Sequence, residues 1–170
     1  MAEHNELKNG EAKVEDGAMV LAARGRLGLA WTGAMPQGDY EVAFETSLVS
    51  GQRLASLLFP VGGGHCDLVL GGISGRLVGL DGVDGKGYRD NPALTQMRFE
   101  TNHWYAVRVR VAGGKVEVWA DGARLIDLAV AGHTFAVEDQ RAALKPLGLS
   151  AYQGSTAVRN IRLKRLDGGQ

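Results

Sequence analysis

The chain has 170 residues and a mass of 18.1 kDa, about one domain's worth of sequence and enough to bury one sizeable core. Nineteen basic side chains balance nineteen acidic ones, so no net field draws the molecule to nucleic acid or to an anionic membrane. The 45% hydrophobic share excludes disorder, no apolar run approaches the ~20 residues of a membrane helix, and the lone Cys66 excludes an internal disulfide or a thiolate-rich metal site.

The first ten residues, Met1 to Gly10, are polar and carry no apolar core of a secretory signal, which predicts a cytoplasmic protein unless the chain is an excised domain. From Tyr40 to Leu48 the dominant period is two: Tyr40, Val42 and Phe44 share a side, with Glu41, Ala43 and Glu45 opposite, as in a half-buried strand. Leu54–Val61 and Asp67–Gly71 predict two strands joined at Gly62-Gly63-Gly64, and Gly75–Leu80 a further one before the glycine- and aspartate-rich loop Asp81–Pro92. Twenty-five glycines, roughly twice the ordinary ~7% share, fit many such tight turns.

The best-defined element is a meander. Val107, Val109 and Val111 alternate with Arg108 and Arg110, and Ala112–Lys115 turns the chain into Val116–Trp119. Pairing Val111 with Val116 sets Arg110 across from Glu117 and Arg108 across from Trp119, an opposite-charge pair and a cation–π contact. Asp121-Gly122 predicts a type I′ turn into Leu125–Leu128, which brings Arg124 beside Trp119. Val137–Leu144 is the one predicted helix, stopped before Pro146. Leu147–Tyr152 and Ala157–Leu166 are the final strands, with Ile161 and Leu163 alternating with Arg162 and Lys164, Val158 out of phase with them through a bulge near Asn160, and a frayed tail from Leu166. Many short strands and almost no helix predict one all-β domain over residues 1–170, an antiparallel β-sandwich.

The segment Phe99–Leu166, with Trp104, Val107, Val109, Val116, Val118, Asp121, Gly122 and the terminal Arg159-Asn160-Ile161-x-Leu163, resembles the concanavalin A-like lectin/glucanase superfamily. Within it the chain is similar to laminin-G-like domains and to the 3-keto-disaccharide hydrolase-like domains of bacteria, planctomycete versions included. With Gly38–Glu45 as the opening strand, the likeness spans Gly38 to Leu166. It implies a jelly-roll sandwich and places Trp104 in the core. The superfamily hosts lectins, hydrolases and plain interaction modules, so fold alone does not choose among them.

Glu41 and Glu45 are set against the acidic strand motif Glu-x-Asp-x-Glu of glucanases in that superfamily, but Ala43 stands in the middle position, so a solvated outer face is expected. Asp81, Asp84, Asp90 and Asn91 suit a hard cation chemically, and lectin relatives often hold Ca²⁺; the spacing matches no EF-hand, so ordinary turns and no resident cofactor are expected. His65 and Cys66, neighbours on a strand, point apart and form no dyad, whereas His65 and Asp67 could share a face. The basic run Arg159, Arg162, Lys164, Arg165 lacks interleaved aromatics and predicts a solvated edge rather than a nucleic-acid platform.

Sugars stack their C–H faces on exposed rings flanked by hydrogen-bonding groups, and Trp119, Tyr88, Tyr152 and Trp31 are the candidate rings. The expected function is a non-catalytic binding module for a glycan or a protein partner, with Trp119, Arg108, Arg110, Glu117 and Arg124 as its surface and Tyr88, Asp90 and Asn91 as its rim. The alternatives are a glycoside-processing enzyme, which requires two convergent carboxylates in one cleft, and a structural domain of a larger assembly.

Overall fold

The computed structural model describes residues 2–166, with side chains from Asn9 onward. Period-two alternation becomes eleven strands: β1 (Ala2–Glu15), β2 (Ala18–Ala30), β3 (Tyr40–Ser50), β4 (Ser56–Val61), β5 (Gly64–Gly71), β6 (Leu77–Asp81), β7 (Thr95–Gln96), β8 (Trp104–Ala112), β9 (Lys115–Ala120), β10 (Ala123–Ala129) and β11 (Gly148–Arg165). Hydrogen bonding runs β10-β9-β8-β3-β11-β4-β5-β6-β7, and β2 joins β1 to β11. Every ladder between these strands is antiparallel.

β11 links the two layers. Its first residues, Gly148–Ser150, pair with β4, whereas Ser155–Arg165 pair with β3; along Gly148–Val158 it also pairs with β2. The register slips between Tyr152 and Gly154, where the strand changes layer. Glycine is required at this corner by close approach, because a Cβ on Gly154 would lie 2.6 Å from the Ser50 carbonyl oxygen and 3.1 Å from the Gly51 Cα. The apolar faces of Val42, Phe44, Val107, Val109, Val116 and Val118 then meet those of Leu57, Phe59, Leu68, Leu70, Val78 and Leu80 in one core. The expected antiparallel β-sandwich is what forms.

The hairpin chemistry is uniform. Asp16-Gly17, Gly62-Gly63, Gly113-Gly114 and Asp121-Gly122 all have positive φ at both positions, as a type I′ turn demands. The Asp16-Gly17 turn joins β1 to β2, the hairpin that sequence reading did not anticipate; Leu21, Ala23, Leu27 and Leu29 form its own apolar cluster with Ala151. The expected helix is a 3₁₀ helix, Asp139–Leu144, and β6 begins at Leu77 because Gly72–Gly75 is spent on a tight turn. Among the described residues no helix is long and apolar enough to cross a membrane.

Four expectations in the second half of the chain are corrected or sharpened. The bulge is present, with Asn160 at φ 54° and a register shift between Arg159 and Arg162, but it turns Ile161 outward to 37% exposure. Trp104 is not in the core: it shares the outward parity of Arg108, and the Arg159 guanidinium lies 3.8 Å from the centre of its ring. Tyr105 is the buried aromatic instead, set edge-on to Phe99 at 5.0 Å. β11 is flanked by β2 and β3 through Val158, and from Arg159 onward only β3 pairs with it among the described residues, so the basic run does lie along an edge. The Leu166 N–H donates to the Asp39 carbonyl; the rest of the expected frayed tail, Asp167–Gln170, lies outside the described residues.

Candidate functional site

Each layer turns an outward face to solvent, and the predicted binding residues are divided between the two. On the β8–β10 face the expected register holds: Arg108 pairs with Trp119, Arg110 with Glu117, and Arg124 with Trp119. The Arg108 guanidinium sits 3.9 Å from the Trp119 ring centre and also reaches Glu41 at 3.5 Å. Glu117 and Asp127 hold Arg124 at 3.5 and 3.4 Å. A shallow depression of about 430 Å³ lies here, between Trp119, Glu45 and Arg162. Its indole is already stacked on one face, so a sugar would reach that face only by displacing Arg108. Glu45 is tied to Arg159 at 3.2 Å and to Asn160, which accounts for both carboxylates of the broken acidic motif.

Tyr88, Asp90 and Asn91 do not join this group. Asn91 is buried, its amide donates to the Leu80 and Gly87 carbonyls at 2.7 and 3.0 Å, and its Oδ1 accepts from the Ala93 N–H at 3.1 Å. It staples its own loop and cannot gate a rim. Asp90 is exposed on the same loop, and its N–H donates to the Gly87 carbonyl at 3.1 Å. The loop's acids diverge: Asp84 accepts from His133 Nδ1 at 2.7 Å and the Thr134 N–H at 2.9 Å, while Asp81 turns to Arg141 and the Tyr88 N–H. Among the described residues no three His, Cys, Asp or Glu side chains gather round a point.

The second face, outside β2, β11, β4, β5 and β6, carries a more enclosed arrangement. Arg26 and Tyr152 are cross-strand partners of β2 and β11, and the guanidinium lies 5.2 Å from the ring centre. Arg53, just before β4, lies 4.6 Å from the same ring and 5.6 Å from that of Tyr88, toward whose hydroxyl its Nη2 donates at 3.4 Å. Together with Asn9 and Gln140 they line a cleft of about 490 Å³, within the ~300–1,000 Å³ usual for small-molecule sites. Small residues keep the strands beside it low: Ser150, whose Oγ accepts from Arg26 Nη1 at 3.3 Å, pairs with Gly28, and Gly79 lies under Tyr88.

Arg141, delivered by the 3₁₀ helix, closes one wall. Its Nη1 donates to Asp67 Oδ2 at 3.1 Å and to Asp81 Oδ2, while Leu144 of the same helix packs on Leu58. The Asp67 side chain is 1% exposed, and its Oδ1 is buried without a hydrogen-bond partner among the described residues. Burial pushes Asp67 above its ordinary value, opposed in part by Arg141 and Arg26. Burial opposes the charge on Arg141 as well, but the two carboxylates outweigh it and raise that group. Burial first, and then the like charge of Arg141, lower Arg26. Cys66 points into the core, where burial pushes its thiol up.

Sequence reading found Tyr88 and Tyr152 as candidate rings and set Asp67 on a shared face with His65. It missed Arg26, Arg53 and Arg141, which come from separate segments with no shared motif.

The comparisons with known proteins agree with this architecture. The exoplasmic/lumenal domain of VIP36, described in its Ca²⁺/Man3GlcNAc-bound form, superposes with a TM-score of 0.66 at 13% identity, over 99% of this chain and 92% of that one. The carbohydrate-binding module CBM66 of Bacillus subtilis gives 0.62 at 12% identity, over 92% of each chain. A putative glycosyl hydrolase of Parabacteroides distasonis gives 0.57 at 15% identity, over 95% and 85%. At these identities the likeness establishes the concanavalin A-like jelly roll and nothing finer. No curated protein sequence is matched. A family model does match, over residues 2–164, and so takes in the β1–β2 hairpin that the motif resemblance left out. By that match the chain belongs to the 3-keto-alpha-glucoside-1,2-lyase-like domain family.

Proposed function

We propose that this domain binds carbohydrate, and that its site is the cleft of Arg26, Arg53, Tyr88 and Tyr152. The observation that carries the reading is the pair of tyrosine rings and the pair of guanidiniums gathered round one concave space. Rings offer faces for pyranose C–H groups, and arginine forks supply several fixed donors for hydroxyl oxygens. Family membership, the Man3GlcNAc-bound form of VIP36 and the carbohydrate-binding module CBM66 support a saccharide over a protein partner. The outward depression at Trp119 is the second candidate location, with Arg108, Arg110, Glu117 and Arg124 beside it.

A glycan array followed by calorimetric titration of the best hits tests this. Arg53→Ala and Tyr152→Ala are expected to weaken binding at least about tenfold, the loss of roughly 1.4 kcal/mol, while Trp119→Ala leaves it unchanged. The reverse pattern moves the site to the β8–β10 face, and no saccharide ligand at all refutes the reading.

An enzyme is the second reading, and one observation favours it: Asp67 and Asp81 are cross-strand partners that converge just behind the Arg141 wall of the cleft. A base whose charge is disfavoured by burial suits proton abstraction next to a ketone, and a neighbouring guanidinium suits the oxyanion that forms. Arg141 stands between those carboxylates and the open cleft, which favours binding over turnover. Incubation with a 3-keto-glucoside, followed by NMR, decides: product formation lost in Asp67→Asn would establish the enzyme.

A further inference from the structure

Among the described residues the cleft holds more positive charge than its acids neutralise. Three guanidiniums meet two carboxylates there, and both carboxylates are taken by Arg141. Arg26 and Arg53 form no ion pair among the described residues. Each is placed instead on aromatic faces, and both converge on the single ring of Tyr152. Tyrosine faces attract cations weakly but carry no net charge, so among the described residues the two like charges face the same space with no ion-pair partner, only the longer-range field of Asp67 opposing them. A wholly neutral sugar would satisfy some donors and leave that repulsion in place.

We infer that the ligand is an acidic saccharide whose anionic substituent, a carboxylate or a sulfate ester, sits between Arg26 and Arg53. This rests on the reading of the cleft as a carbohydrate site. Guanidinium forks match the paired oxygens of both groups, and such charge-assisted bonds are about twice as strong as neutral ones. The arrangement also fixes the ligand's direction. Asp67 and Asp81 repel an anion from the Arg141 wall, so the acidic group lies on the Arg26–Arg53 side. The sugar's hydroxyls are then left to the amides of Asn9 and Gln140 at the rim.

Calorimetry on the intact chain tests this with matched probes. These are a galacturonate trisaccharide, a glucuronate–N-acetylglucosamine tetrasaccharide and a sulfated galactose disaccharide, each beside its carboxyl-reduced or desulfated counterpart. At least one acidic probe is expected to bind tenfold or more tightly than its neutral counterpart, with the ratio shrinking toward one in Arg53→Gln and in Arg26→Gln. Arg26→Lys keeps part of the preference, and unchanged melting temperatures show that the variants fold. The arm that responds tells carboxylate from sulfate. If neutral probes bind as well as acidic ones and shift the Tyr88 and Tyr152 resonances, the inference fails while the cleft remains a sugar site. If no probe binds and array ligands map elsewhere, both fail.

Discussion

Asp67 and Asp81 stand opposite each other on β5 and β6, and both address the same nitrogen, Nη1 of Arg141. Like charges directly across a ladder are destabilising, so the guanidinium is what makes this pair tolerable. Removing it by Arg141→Ala leaves a carboxylate with 1% exposure and no ion-pair partner among the described residues, which costs about 3–5 kcal/mol for a buried pair broken on one side. Adding Asp67→Asn to that variant should recover part of the loss, because the uncompensated charge is gone. Urea denaturation of the single and double variants measures both. A loss below about 1 kcal/mol in Arg141→Ala would mean the pair behaves as an exposed one.

Trp119 and Arg108 allow a cleaner separation of packing from recognition. Their contact spans 3.9 Å on the outward face, where cation–π pairs contribute about 0.5–1 kcal/mol. A double-mutant cycle with Trp119→Ala and Arg108→Ala should return a coupling energy of that size, with saccharide affinity untouched in both single variants. A coupling indistinguishable from zero would leave the indole free to serve as a stacking surface after all.

The meander from Trp104 to Ala129 could be read residue by residue because everything that fixes it is local. Alternation sets the face, a two-residue turn sets the register, and the register sets which side chains meet. Trp104 shows what happens when a family role is preferred to parity: its outward position follows from Arg108 and Arg110 alone. The cleft had no such local signal. Arg26 and Ser150 are hydrogen-bonded across 124 residues of sequence, and their meeting depends on β2 pairing with β11. That hairpin could have been suspected from Asp16-Gly17, which carries the same turn signal as Asp121-Gly122. Asp67 shares a face with His65 and Asp81 opens an acidic loop, but nothing in the chain announces that a 3₁₀ helix some sixty residues later delivers Arg141 between them.

Gly154 tests whether the corner of β11 positions the cleft. A Cβ there would meet the Ser50 carbonyl oxygen at 2.6 Å, backbone that can only yield by shifting β3. Gly154→Ala should cost about 1–3 kcal/mol, the range for overpacking. It should also weaken saccharide binding, because Tyr152 lies two residues before it. Denaturation and titration on the same sample separate the two effects. Stability lost with affinity intact would show that the ring is held by Arg26 and Arg53 rather than by the strand.

Asp84 gives a prediction whose sign depends on pH. It lies in the turn after β6, and its N–H and carboxylate both engage Thr134 on the segment after β10, with His133 Nδ1 as a further partner of the carboxylate. The Thr134 N–H, and then His133, hold this carboxyl below its ordinary value. A depressed carboxyl group stabilises the fold above its unfolded value, ~3.9 for Asp, and loses that contribution as pH falls through the lower folded value. The melting temperature of Asp84→Ala should therefore lie below that of the wild type from about pH 5 to 7, with the gap closing below about pH 3. The Val83–Phe135 bridge remains in the variant, so the loss should be local opening of the 133–137 segment, seen as faster amide exchange at Thr134. A gap that persists undiminished at the acid end would assign the effect to lost side-chain packing instead of to the ionised carboxylate.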